Sequence, residues 1–167
     1  PTAVIAGSCS VATQGQVAMM KKDHESFCVD PAQIASGHDL ATEAITWAAG
    51  RLSEKPVLIY STATPEQIQI AHQRLGREHA GALVEETLGK IARGLHAKGV
   101  RRLVVAGGET SGAVVGALGV QGLHIGPEID PGVPWTFSLG EPALALALKS
   151  GNFGAPDFFE KALAMMP

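Results

Sequence analysis

Short apolar runs alternate along the 167 residues with longer stretches of helical period. This is the pattern of βαβ units packed around a mainly parallel sheet. Five runs read as strands, Ala3–Ala6, Phe27–Val29, Val57–Tyr60, Leu103–Ala106 and Ala143–Leu148, with a weaker one at Leu123–Ile125. Between them the spacing predicts helices at Val11–Lys22, Ala32–Leu52, Pro65–Leu75, His79–Lys98, Ser111–Leu118 and Pro156–Ala164. In the long helix Leu83, Thr87, Ile91 and Leu95 recur beside Val84 and Leu88. Glu85, Glu86, Lys90 and Arg93 take the remaining face, which should be wet. Alternation in Ala143–Leu148 puts the leucines on one side and the alanines on the other. Both faces are therefore apolar, and that strand belongs inside the sheet. From Gly126 to Gly140 the chain holds Pro127, Pro131, Pro134 and Gly132, too rich in breakers for a regular element, so a structured loop or hairpin connection is expected. The fold class is α/β in three layers, a mainly parallel sheet flanked by helices, with mixed pairing left open near the C-terminal strand. No repeat, low-complexity tract or linker divides the chain, and residues 1–167 read as one domain.

Composition narrows the function classes. With 46% hydrophobic residues the chain can bury an ordinary core without disulfides or a structural metal. The 13 basic and 16 acidic residues give a net charge of −3 and form no block of one sign, so neither nucleic acid nor a membrane surface is indicated as a partner. No run approaches the roughly 18 apolar residues of a membrane span, and no basic-then-apolar leader opens the chain. A soluble, cytoplasmic protein is expected. The chain starts at Pro1 without a methionine and enters an apolar run almost at once, as a piece of something longer would. Cys9 and Cys28 have no CxxC spacing and read as reduced, buried thiols. The six histidines form no HExxH or other ligand spacing, so no metal site is predicted. Trp47 should pack on the sheet, and Trp135 should stack at a pocket or a domain interface.

The sharpest chemical feature is Val104-Val105-Ala106-Gly107-Gly108-Glu109-Thr110-Ser111-Gly112 followed by the helical run Ala113–Leu118. Strand, glycine turn and helix start arrive in the order of an anion cradle: glycines admit a phosphate to backbone N–H groups, Thr110 and Ser111 add hydroxyls, and the first helical turn adds free amides and a positive dipole. The plainer alternative is a tight turn at Gly107-Gly108 with Thr110 or Ser111 capping the helix. No GxxxxGK[ST] occurs, and Glu109 stands where GxGxxG needs its second glycine, which excludes a P-loop and a dinucleotide fingerprint. Glu109 would sit beside a triphosphate only with magnesium or its water between them, or else it simply stabilises the helix start. A second turn, Gly7-Ser8-Cys9-Ser10, repeats the logic after the first strand, and the two could border one crevice outside the strand ends. A third, Ser61–Gln67, reads mainly as a cap, with Thr64 at the N-cap and Gln67 closing a capping box. In Lys149-Ser150-Gly151-Asn152-Phe153-Gly154, backbone near Gly151 could hold a base or ribose. Lys149 could there offset phosphate charge or be a solvated lysine in a plain turn.

Taken together, Gly7–Ser10, Ala106–Gly112, Glu128–Trp135 and Leu148–Gly154 resemble the four-carbon acid-sugar kinase family, specifically its carboxy-terminal nucleotide-binding domain, over nearly the whole chain. The likeness is nearest to members that phosphorylate the terminal hydroxyl of a 3-oxo-tetronate. The resemblance implies two α/β domains, an amino-terminal one that binds the acid sugar and a carboxy-terminal one that holds ATP in the cleft between them. It implies that Ser8 and Ser10 contact nucleotide, that Gly107, Gly108, Glu109 and Thr110 with Ser111 and Gly112 hold phosphates, and that Gly151 and Asn152 border the nucleotide. ATP with Mg2+ is then the cofactor. The four-carbon acid sugar becomes a partner through the other domain, which also carries the catalytic groups, and a homo-oligomer is left open. The chain by itself is expected to bind ATP or ADP without turnover. The competing class is a sensor or scaffold domain that binds a phosphorylated metabolite through the same helix starts.

Overall fold

Strand β1 (Thr2–Ala6) is buried at every residue, because apolar side chains leave it on both faces and a layer of helices covers each. In this computed structural model, which describes residues 1–52, 55–61 and 65–165, β1 is followed by α1 (Val11–Met20), β2 (Ser26–Cys28), α2 (Pro31–Ala35), α3 (Leu40–Ala49) and β3 (Val57–Tyr60). The chain continues through α4 (Pro65–Leu75), α5 (Arg77–Ala97), β4 (Arg102–Ala106) and α6 (Gly108–Ala117). It ends with β5 (Leu123–Asp130), β6 (Val133–Ser138), β7 (Ala145–Lys149) and α7 (Phe158–Ala164).

The strands form one sheet in the order β2-β3-β1-β4-β7-β6-β5. From β2 to β7 the pairs are parallel, and β6 pairs antiparallel with both β7 and β5. The sheet is therefore mixed at the C-terminal strands. Ala3, Ile5, Val57, Ile59, Leu103, Val105 and Leu146 meet α3, α5 and α6 on one face. Val4, Ala6, Leu58, Val104, Ala145 and Ala147 meet α1 and α7 on the other. The leucine and alanine sides of β7 thus separate as alternation requires, and β7 lies inside the sheet between β4 and β6.

Three expectations need correction. The single helix over Ala32–Leu52 is two, because Gly37 adopts φ +86 and Asp39 starts a second helix by accepting the Thr42 N–H at 3.1 Å. The breaker-rich stretch after Gly126 does form a hairpin, one of the two expected readings, but its arms are the strands β5 and β6 where no regular element was expected. Pro127 is accommodated on the edge strand, where a register shift separates Ile125 from Glu128. Pro134 precedes Trp135, the residue at which pairing to β7 begins. Trp135 stacks at no pocket: it is fully buried between the sheet and α7 and gives its indole N–H to the Ala162 carbonyl at 3.3 Å. Trp47 packs its ring against Phe27 at the β2 margin, centroids 5.6 Å apart. The expected cap at Thr64 lies outside the described residues.

The hairpin is locked to the rest of the domain by Asp130, which is buried and accepts from the Ala155 N–H at 2.8 Å and from Lys161 Nζ at 2.9 Å. These bonds, the amide first, hold its carboxyl below the ordinary aspartate range. Its contribution is therefore complete above about pH 4 and lost as pH falls through the folded value. Asp130→Ala should lower the unfolding free energy by about 1.5–3 kcal/mol, the range for hydrogen bonds to charged groups. The exposed Asp157→Ala should change it by under about 0.5 kcal/mol, both read from urea midpoints at neutral pH.

Candidate functional site

Parallel register brings Tyr60, Ala6, Ala106 and Lys149 level with one another at the carboxyl edge of β3, β1, β4 and β7. The loops that leave this edge are stitched together at their first residues. Ser61 N–H donates to the Ala6 carbonyl at 2.8 Å, Gly7 and Ser8 N–H to the Ala106 carbonyl at 2.9 and 3.3 Å, and Gly107 N–H to the Lys149 carbonyl at 2.9 Å. After β1 the chain moves outward to β2 and β3, while β4 lies on the opposite side of β1. The Gly7 and Gly107 turns therefore flank a switch in strand order, where open α/β sheets form a crevice.

Helix α6 begins at Gly108, earlier than its apolar pattern suggested, because Gly107 takes φ +129 and turns the chain directly from strand into helix. No side chain caps it, so neither Thr110 nor Ser111 plays the capping part. Ser111 N–H bonds the Gly107 carbonyl at 2.8 Å, and the amides of Gly108, Glu109 and Thr110 are left with the positive end of the helix. A side chain at Gly108 would meet nothing within 4 Å, so the approach to these amides is open. Glu109 is exposed in the same turn.

Thr110 differs from expectation: it is buried and donates its hydroxyl to Glu85 Oε1 on α5 at 3.0 Å. Gly7 makes room for it, since a Cβ there would lie 2.1 Å from Thr110 Oγ1 and 2.8 Å from Leu88 Cδ1. Glu85 was assigned to the wet face of α5 from its period. It is half-buried against the cradle, and its Oε2 is buried without a partner. Burial pushes its carboxyl above the ordinary glutamate range, the Thr110 hydrogen bond opposes this, and the charge of Glu109 adds to the rise.

Across the crevice, Ser10 is the N-cap of α1, accepting the Thr13 N–H at 3.2 Å and donating to the Gly151 carbonyl at 2.5 Å. Thr13 Oγ1 donates to the same carbonyl at 2.8 Å, and Ser8 Oγ accepts the Ser10 N–H at 3.2 Å. A Cβ on Gly151 would lie 2.2 Å from Ser8 Oγ, so the two loops touch only because that residue is glycine. Lys149 is not solvated: its ammonium is buried among Thr13 Oγ1, Ser150 O and Gly151 O at 2.9, 3.2 and 3.1 Å. Asn152 is exposed.

A cavity of about 1060 Å³ opens over this edge, between the two turns and helices α4 and α5. Ser8, Gly107, Gly108, Glu109 and Thr110 line it together with Glu85 and His72. Ser111 is half-buried on α6 with its Oγ unpartnered, and Gly112 is exposed one turn in. Neither is on the cavity wall, nor are Ser10, Gly151 and Asn152, which form the adjoining side. Cys9 and Cys28 are free but exposed, which corrects the expectation of buried thiols. Among the described residues no group of three or more His, Cys, Asp or Glu could hold a metal ion, and no helix is long and apolar enough to cross a membrane.

The model of a family described as the nucleotide-binding C-terminal domain matches residues 3–159. A 3-oxo-tetronate kinase of Burkholderia multivorans is 57% identical over 160 residues, 96% of this chain and 37% of that protein. A 3-oxo-tetronate kinase of Pseudomonas savastanoi is 56% identical over 164 residues, 98% of this chain and 38% of that protein. The crystal structure of a Haemophilus influenzae protein superposes with a TM-score of 0.91 at 39% identity, covering 98% of this chain and 40% of that one. The chain thus spans about two fifths of the length of the relatives it matches.

Two outcomes follow from the Thr110 contact. Gly7→Ala should displace Thr110 and cost about 1–3 kcal/mol, the usual range for forced overpacking, read as a lowered melting temperature. Because the folded pKa of Glu85 is raised, the stability linked to it is full below about pH 4.3 and lost as pH rises through the folded value. Glu85→Gln escapes that loss, so the melting temperature of the variant minus that of the wild type should grow from about pH 5 to about pH 8.

Proposed function

Because the chain belongs to the nucleotide-binding C-terminal domain family, we propose that its carboxyl-edge crevice holds ATP for a kinase acting on a four-carbon acid sugar. The acceptor is the terminal hydroxyl of a 3-oxo-tetronate, the substrate named in the relatives. The observation that carries this reading is the uncapped start of α6 at Gly107–Thr110, level with Ser8 and open to the cavity. Its free amides suit the equatorial oxygens of a phosphate chain, and Gly108 lets those oxygens come close. Gly151 and Asn152, one loop away, border the nucleotide on the other side. Ser10 supports that border from beneath, since its hydroxyl is committed to Gly151.

Phosphoryl transfer asks little covalent chemistry of the protein and depends on positioning and on neutralising charge. This chain supplies the first for the nucleotide. No cluster among its described residues is built to hold Mg2+, so the cation would arrive with the nucleotide, where it would offset phosphate charge. Glu85 and Glu109 make a bare polyphosphate less welcome than its magnesium complex by simple repulsion. The hydroxyl to be phosphorylated, and the group that takes its proton, must come from the rest of the protein, working in the cytoplasm where ATP is supplied.

Titration calorimetry of this chain with Mg-ADP should give saturable binding at or below millimolar nucleotide, and ADP should raise its melting temperature while sugar phosphates do not. The same chain should not consume ATP with 3-oxo-tetronate unless joined to a substrate-binding domain. Gly108→Val should fold and bind ADP at least about tenfold more weakly, ~1.4 kcal/mol. No saturation at millimolar nucleotide, or protection by sugar phosphates alone, would refute the reading.

A further inference from the structure

Lys149 is 1% exposed, yet every partner of its ammonium is neutral: a threonine hydroxyl and two carbonyls. None of the ion pairs among the described residues includes it. A buried unpaired charge is costly and is usually removed by neutralising the group, and here burial pulls the amine down to about 8. Its surroundings make the cost higher. Thr13 lies in the first turn of α1, so the ammonium sits at the positive end of that helix. The carbonyl of Lys149 itself holds Gly107, the residue that starts α6. The ammonium thus carries a full charge beside a helix start of the same sign, and no carboxylate is among its own partners.

We propose that Lys149 is a positioning residue whose buried charge is balanced by the phosphates of the bound nucleotide without touching them. This rests on the nucleotide reading given above and adds to it the source of the charge. The lysine also fixes the loop at Ser150 and Gly151. With Ser10 and Thr13 it pulls the Gly151 carbonyl inward, so the amide N–H of Asn152 on the same trans peptide points outward. A methionine could fill the same space, so packing alone gives no reason for an ammonium here.

The groups able to disturb its titration are few. Residues 10–16 at the start of α1 and 150–155 before α7 carry no titratable side chain. Asp130 is committed to Lys161 and the Ala155 amide, Asp157 and Glu109 are exposed, and Cys9 is exposed on the β1–α1 loop. All of them remain in a Lys149→Met variant, so the difference between variant and wild type belongs to Lys149.

The test is calorimetry with metal-free ADP across the range from about pH 7 to about pH 9.5. Wild-type affinity should fall above about pH 8, where the empty site loses its proton, by up to about tenfold per pH unit. Lys149→Met should fold, since it removes an unpaired buried charge. It should bind ADP at least about tenfold more weakly at pH 7 and lack the alkaline decline. Equal affinity at pH 7, or the same alkaline profile in both proteins, overturns the proposal while leaving nucleotide binding intact. A wild type that binds no ADP overturns both. Should the variant not fold, the wild type still decides: near pH 8.5 ADP binding must take up protons, seen as heats that vary with the ionisation enthalpy of the buffer, and buffer-independent heats refute the idea.

Discussion

The level carboxyl edge of β3, β1, β4 and β7 is the constraint on which the rest of the molecule depends. Parallel strands must be joined by crossovers that return the chain to the same end, so every turn leaving that edge starts in the same plane. Here the register is tight enough for the first amide of one loop to bond the last carbonyl of the neighbouring strand, from Ser61 through Gly7 to Gly107. The glycines then follow from crowding. Gly7 admits the Thr110 hydroxyl and Gly151 admits Ser8, two contacts that any Cβ would break.

Opposite charges sit on the two sides of this edge, each at a cost. Glu85 is held near the cradle with an unpartnered oxygen, and Lys149 lies beneath the facing loop among neutral oxygens. Neither arrangement favours the empty protein. Burial raises the affinity of the carboxylate for a proton and lowers that of the amine, so both groups are less charged than their exposed counterparts. Stability given up at such positions is characteristic of sites completed by a ligand.

The layers and the edge were legible in the sequence because they rest on period. Alternation in β7 distinguishes its leucine and alanine faces, and the repeat in α5 places Leu88, Ile91 and Leu95 in the core. Glycine followed by hydroxyl residues marked both turns. Period fails at boundaries, however. Glu85 belongs to the polar side of α5 by angle, and only the position of α6 above that helix turns it inward. The break at Gly37 was hidden because alanines continue the helical pattern on both sides, and the strands within the expected hairpin were hidden because Pro127 and Pro134 stand where a strand can spare an N–H. The environment of Lys149 was out of reach, since its partners lie 136 residues earlier in the chain or in its own backbone turn.

The margins of the sheet carry one more consequence. At one side β2 is three residues long. At the other, β5 has a proline and a register irregularity in mid-strand. A short rim and an interrupted one are poor templates for a strand from another chain, which needs a continuous row of free donors and acceptors. Edge-to-edge growth into a larger sheet is thereby discouraged at both flanks.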